Sequence, residues 1–177
     1  LEQEWENIQE VLTWCAEQEQ YTIFKSLWQV VERYTDLYGY WNDRLIWLDW
    51  LIQASERRGD FATLMEQLSA KGGMLQDMGQ LEEATSLCDR AWKLREYNND
   101  TTVLLMLLKG IADNRIHRRL YDEALQWVEH IEQIIDNLPS EEEKKHEEIS
   151  VIFRRARIFY ETADYDQAEK LFQRVQQ

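Results

Sequence analysis

Proline and glycine are scarce: the 177 residues include one proline and six glycines. Average usage at this length is about 9 and 12. Tight turns, hairpins and sheet corners draw on those two residues. Their scarcity disfavours a β-sandwich, a barrel and a glycine-rich nucleotide fold. Cysteine is scarce too. Cys15 and Cys88 lie far apart, and neither belongs to a CxxC pair. They read as reduced, buried, small hydrophobes of a cytosolic protein, and nothing in their spacing supports a disulfide. Positive charge is in deficit, with 20 Lys and Arg against 34 Asp and Glu, a net charge of −14. Such a surface repels phosphate backbones and anionic lipid, so neither nucleic acid nor membrane is an expected partner. Charged residues are 31% and hydrophobic ones 44%, which excludes the disordered and membrane-spanning classes.

What is abundant is helical periodicity. Apolar residues recur at three- and four-residue steps, as in Trp5, Ile8, Val11, Leu12 and Cys15. The pattern predicts helices over about 1–18, 21–38, 41–58, 61–78, 81–97, 101–118, 121–137, 141–162 and 165–177. Gly39, Gly59 and Gly79 fall where helices close. Asp60 and Asn99-Asp100 stand at helix starts, and Ser140 with Glu143 forms a capping box. Pro139 stands before what reads as the one long connection. Arg115, Arg118 and Arg119, near a helix end, read as partners of the helix dipole. The chain opens at Leu1 already in helical period and ends, Leu171 to Gln177, inside a helical pattern. The expectation is a segment of a longer cytoplasmic protein.

The turns repeat. Gly39-Tyr40-Trp41, Gly79-Gln80-Leu81-Glu82-Glu83-Ala84, Arg119-Leu120-Tyr121-Asp122-Glu123-Ala124 and Ala163-Asp164-Tyr165-Asp166-Gln167-Ala168 are offset by 40, 40 and 44 residues. Each Ala is followed four and seven positions later by apolar residues: Cys88 and Ala91, Val128 and Ile131, Phe172 and Val175. Upstream, Gly72, Ala112 and Ala156 hold small positions in the preceding helices. Facing small residues let two helices close tightly, and such pairs bury their remaining faces by stacking.

These residues resemble the tetratricopeptide family, whose pattern is a small residue in the first helix, a turn, an aromatic, two acids and an Ala. The resemblance implies an all-α, right-handed α-α superhelix of helix pairs. It covers most of the chain as a single solenoid over 1–177: a leading helix over about 1–18, then pairs over about 21–58, 61–97, 101–137 and 141–177. The first copy departs from the pattern, with Arg44 where the small Ala belongs. The repeat is also longer than the family's usual period.

A narrower likeness covers the first third. Leu1, Glu4-Trp5-Glu6-Asn7-Ile8, Val11-Leu12-Thr13-Trp14-Cys15, and Gly39 followed by Trp47-Leu48 are similar to the helical repeat region of STAND signalling ATPases of the NB-ARC type. That likeness implies a sensor or autoinhibitory arm. Together the two imply a protein-interaction or regulatory scaffold that works by binding a protein or peptide, which another domain of the same protein would also satisfy. A free-standing adaptor or co-chaperone-type module is the alternative, with a helical enzyme domain behind it.

The motifs of catalysis do not occur. No GxxxxGK run is present for a P-loop, and no serine sits in a GxSxG context. His117, His130 and His146 do not pair at metal-ligand spacing. No catalytic, cofactor-binding or metal-binding residue is expected, and any nucleotide-hydrolysing module lies outside this chain. Two surfaces remain as candidates. In stacked pairs the first helices line a concave face, which places Gln29, Arg33, Gln76, Asp77, Lys109, Asp113 and Arg157 in a polar row suited to a peptide. Trp41, Trp47 and Trp50 are the second candidate, on a helix that Trp47, Leu48, Trp50 and Leu51 make apolar on more than one face. They belong either to the core or to a contact with a partner or missing domain.

Overall fold

From Tyr21 to Glu141, helix starts recur every twenty residues. A computed structural model describes residues 4–175; Leu1, the last two residues of the final expected helix and the side chain of Val175 lie outside the described residues. Nine α-helices and no strand occur among the described residues: α1 (Trp5–Glu17), α2 (Tyr21–Leu37), α3 (Trp41–Arg58), α4 (Phe61–Asp77), α5 (Leu81–Lys93), α6 (Thr101–His117), α7 (Tyr121–Ile135), α8 (Glu141–Glu161) and α9 (Tyr165–Val175). A 3-10 turn, Arg95–Tyr97, follows α5. No helix among the described residues is long and apolar enough to cross a membrane.

One turn geometry does most of the connecting. Glu19, Gly39, Gly59, Gly79, Arg119 and Ala163 all adopt positive φ. The next amide in each case donates to a carbonyl five residues back, as in Gln20 to Cys15 (2.8 Å), Gln80 to Leu75 (2.8 Å) and Asp164 to Phe159 (2.9 Å). This is the Schellman closure, which satisfies carbonyls left open at a helix end. Glycine adopts it without a Cβ penalty; the other three turns carry that cost. Where the left-handed residue is missing, the next helix has a side-chain cap. Asp100 accepts from the amides of Thr102 and Val103, and Ser140 accepts from that of Glu143.

The 44-residue offset has a different source from the long connection expected at Pro139. α8 begins twenty residues after α7, and the extra length lies within α8 itself, which runs 21 residues. Pro139 stands in a short connection just before the Ser140 cap.

Consecutive helices pack on one another, and α6 also touches α4 and α8. The small residues sit at the closest approaches. A Cβ on Gly72 would lie 2.9 Å from Cys88 Sγ and 3.4 Å from the Ala84 carbonyl oxygen, so α4 and α5 meet at van der Waals distance. Ala112, Ala124 and Ala156 are fully buried in the following pairs. The α2–α3 pair closes differently. Arg44 occupies the position of the repeat Ala and reaches back to Glu32 (3.3 Å) and to Asp36 on α2. An ion bridge there replaces a small-residue contact.

The core runs the length of the described chain as adjoining clusters. Trp5, Leu12, Phe24, Trp28, Trp47 and Leu48 build the first. Leu64, Leu68, Ala84, Leu107 and Ile111 build the second. Leu108, Val128, Ile131 and Ile135 build the third, and Trp92, Leu104 and Trp127 pack against both the second and the third. Each fully buried large side chain contributes about 1.5–3 kcal/mol relative to exposure. Both cysteines are free and buried. Burial, with Asp89 adding to it, pushes the Cys88 thiol up to about 11. Arg115 is also interior, not a dipole partner at the surface. Its guanidinium pairs with Asp89 (3.2 Å) on α5 and Glu123 (3.0 Å) on α7.

Candidate functional site

Three alternate helices and the first turn of α3 enclose a groove of about 570 Å³. Helical spacing explains which residues line it. Gln29, Glu32, Arg33 and Asp36 form one face of α2, and Glu66, Ala70, Gly73, Met74 and Asp77 one face of α4. Val103, Met106 and Gly110 form one face of α6, and Trp41 closes the end at α3.

The floor is apolar and partly bare. Met106 is 61% exposed and Trp41 43%. Gly73 and Gly110 open into the groove, and a Cβ on either would meet nothing within 4 Å. The contrast with Gly72 one residue earlier is sharp. Gly72 is required by helix packing, whereas its neighbour is not.

The rim is acidic. Glu32, Asp36, Glu66 and Asp77 face Arg33 and Arg44, and Arg44 is already held by Glu32 and Asp36. Burial pushes the Glu32 carboxyl up; Arg44 opposes this, while Glu66 and Asp36 reinforce it. Glu66 accepts from Asn98 (2.8 Å), and Gln67 accepts from the Trp28 indole N–H (3.1 Å). Arg33 is exposed and enters no ion pair among the described residues. No group of three or more His, Cys, Asp or Glu is placed to hold a metal ion among the described residues.

The polar row expected from the repeat phase divides. Gln29, Arg33 and Asp77 line the groove together. Gln76 lies beside it, half-buried, with an unpartnered side-chain oxygen among the described residues. Lys109 and Asp113 are committed to the fold: Lys109 pairs with Glu147 (3.0 Å) and Asp113 with Arg154 (2.6 Å), tying α6 to α8. Arg157 is half-buried on α8, away from the groove lining. Lys109 and Asp113 lie where α8 packs on α6.

The tryptophan cluster divides as well. Trp47 is 8% exposed and meets Phe24 edge-on at 5.8 Å between ring centres. Trp50 is half-buried with its ring 4.2 Å from that of Phe24. Both belong to the core, and Trp41 alone of the three turns into the groove.

No family model, no curated protein and no solved structure matches this chain.

Sequence reasoning did not single out Met74, Met106, Gly73 and Gly110. A signal was present in the glycines, since glycine inside a helical pattern costs about 1 kcal/mol against alanine and calls for a reason. Met106 carried none, because periodicity does not tell a groove-lining methionine from a core one.

Proposed function

We propose that this chain is a protein-interaction module that acts by binding. In this reading its helices form tetratricopeptide-like pairs wound as a right-handed superhelix, and the α2–α4–α6 groove holds a segment of a protein partner. The observation that carries the reading is the pair of glycines. Gly73 and Gly110 weaken their helices, no neighbour needs the space, and both open onto one groove with an exposed methionine and tryptophan. Bare backbone lets a partner's main chain or apolar side chain approach closely. The acidic rim suits a basic residue flanking that apolar contact, with Glu66 and Asp77 as groove carboxylates that enter no ion pair among the described residues. Such a surface fits a sensor or regulatory arm of a larger signalling protein.

The test is selection from a displayed peptide library against the 177-residue chain, repeated with Met106→Glu and Gly110→Phe. The expected result is a set of apolar peptides with a Lys or Arg, whose binding falls about tenfold or more in both variants. Selected peptides that bind both variants as well as the parent would sink the groove assignment.

A further inference from the structure

A second groove, of about 640 Å³, runs between α1 and α3. Its charge is of one sign. Glu6, Glu10 and Glu17 of α1 and Asp43 of α3 line it, and no described residue lining it is basic. α1 itself contains no Lys or Arg. Glu6 and Glu10 stand one turn apart and repel, and the next residue in that row is Trp14. Arg44, the basic residue beside Asp43 in the chain, is turned to Glu32 and Asp36 on α2.

Apolar surface accompanies the acids. Trp14 is 51% exposed and Ile46 58%, and they stand on the two walls. Trp47 also lines the groove, and its buried indole N–H finds no hydrogen-bond partner among the described residues. Gln9 donates to Asp43 at 2.7 Å, which ties α1 to α3 and sets the width of the groove. Thus a braced trough presents two large apolar side chains and four carboxylates. A second copy of this face would set carboxylates against carboxylates in a chain already at −14, so self-association does not fit it.

We propose that the α1–α3 groove docks a basic amphipathic helix of a partner protein. Charge complementarity selects the sign, and the trough between two helices selects the shape. The partner's apolar stripe lies on Trp14 and Ile46. Its Lys or Arg residues, spaced by one and then two turns, meet Glu6, Glu10 and Glu17 at the matching period. This surface is distinct from the α2–α4–α6 groove and stands without it.

The experiment is fluorescence anisotropy with the whole chain and a labelled synthetic helix. That peptide carries Leu at i, i+3, i+4 and i+7 and Lys on its flanks. Saturable binding is expected, weakened about tenfold or more by Glu6→Lys with Glu10→Lys, and similarly by Trp14→Ala with Ile46→Ala. The control reversal Glu142→Lys with Glu148→Lys, on exposed positions of α8, should change it less than about twofold. Circular dichroism verifies that each variant keeps its helix content. Absence of saturable binding overturns the proposal. So does equal loss in both charge reversals, or equal binding of a scrambled peptide of the same charge. Met106→Glu should leave this binding unchanged; if it abolishes binding, the helix sits in the other groove and the assignment to α1–α3 falls.

Discussion

Replacing Gly73 and Gly110 by alanine should stabilise this protein, whereas the same change at Gly72 should not. All three lie inside helices, and alanine is favoured over glycine there by about 0.8–1.0 kcal/mol. At Gly73 and Gly110 the new methyl group enters open space, so nothing subtracts from that gain. The double variant should gain about 2 kcal/mol, which in a chain of this size raises Tm by about 4–8 °C. At Gly72 the methyl group would sit 2.9 Å from Cys88 Sγ and 3.4 Å from the Ala84 oxygen. Cys88 is buried, so either its Sγ shifts against its neighbours or α4 and α5 separate. Overpacking of that kind costs about 1–3 kcal/mol, enough to offset the propensity gain and leave a net loss of about 1 kcal/mol. Thermal and urea denaturation followed by far-ultraviolet circular dichroism read all three. A fall in stability for Gly73→Ala or Gly110→Ala would refute the open-groove geometry. A rise for Gly72→Ala equal to theirs would refute the close contact of α4 with α5. The outcome bears on function, since glycines that weaken a fold without serving its packing point to an occupant.

Three other predictions concern the turns. Asp60 caps α4 through Thr63 and also accepts from Lys25 (2.9 Å) and the Tyr21 hydroxyl (2.7 Å). Burial pushes its carboxyl up, but the bonds from Lys25, Tyr21 and Thr63 outweigh burial and hold it well below the ordinary carboxylate range. A depressed native value stabilises the fold above the unfolded value of about 3.9, and the effect is lost as pH falls below it toward the native value. Asp60→Asn should therefore cost about 1–2 kcal/mol at neutral pH, discounted for a partly exposed ion pair. The gap from the parent should narrow below about pH 4, and a gap constant down to about pH 2.5 in urea titrations would contradict the assignment. Ala163 holds φ of 63° at the α8–α9 turn, and Ala163→Gly should stabilise by about 0.5–1 kcal/mol. Gly59→Ala, at φ of 69°, should cost about 1 kcal/mol, and the opposite ordering of the two melting shifts would discount strain at these turns.

Local chemistry made the helices legible. The apolar period, the Asp60, Asp100 and Ser140 caps and the closing glycines place every helix to within a few residues of where it lies. The small positions Gly72, Ala112 and Ala124 were legible because a close helix approach leaves no room for anything larger. The closures at Glu19, Arg119 and Ala163 were less so, because those residues adopt a conformation that glycine prefers. The origin of the 44-residue offset was misread, because an extra turn within α8 and a longer connection change the spacing equally.

The site was legible only in part. Gln29, Arg33 and Asp77 do share a groove, since helical spacing fixes which residues share a face of each helix. It does not fix what covers that face. Lys109 and Asp113 share one face of α6, yet Glu147 and Arg154 of α8 bind them. Likewise Trp41 and Trp47 are less than two turns apart on one helix, and one ring faces the groove while the other fills the core. Sequence settles the helix, its ends and its register, because those depend on neighbours along the chain. Burial and exposure depend on helices twenty to forty residues away. Only their packing decides that Gly72 is a contact and that Gly73, one position on, is an opening.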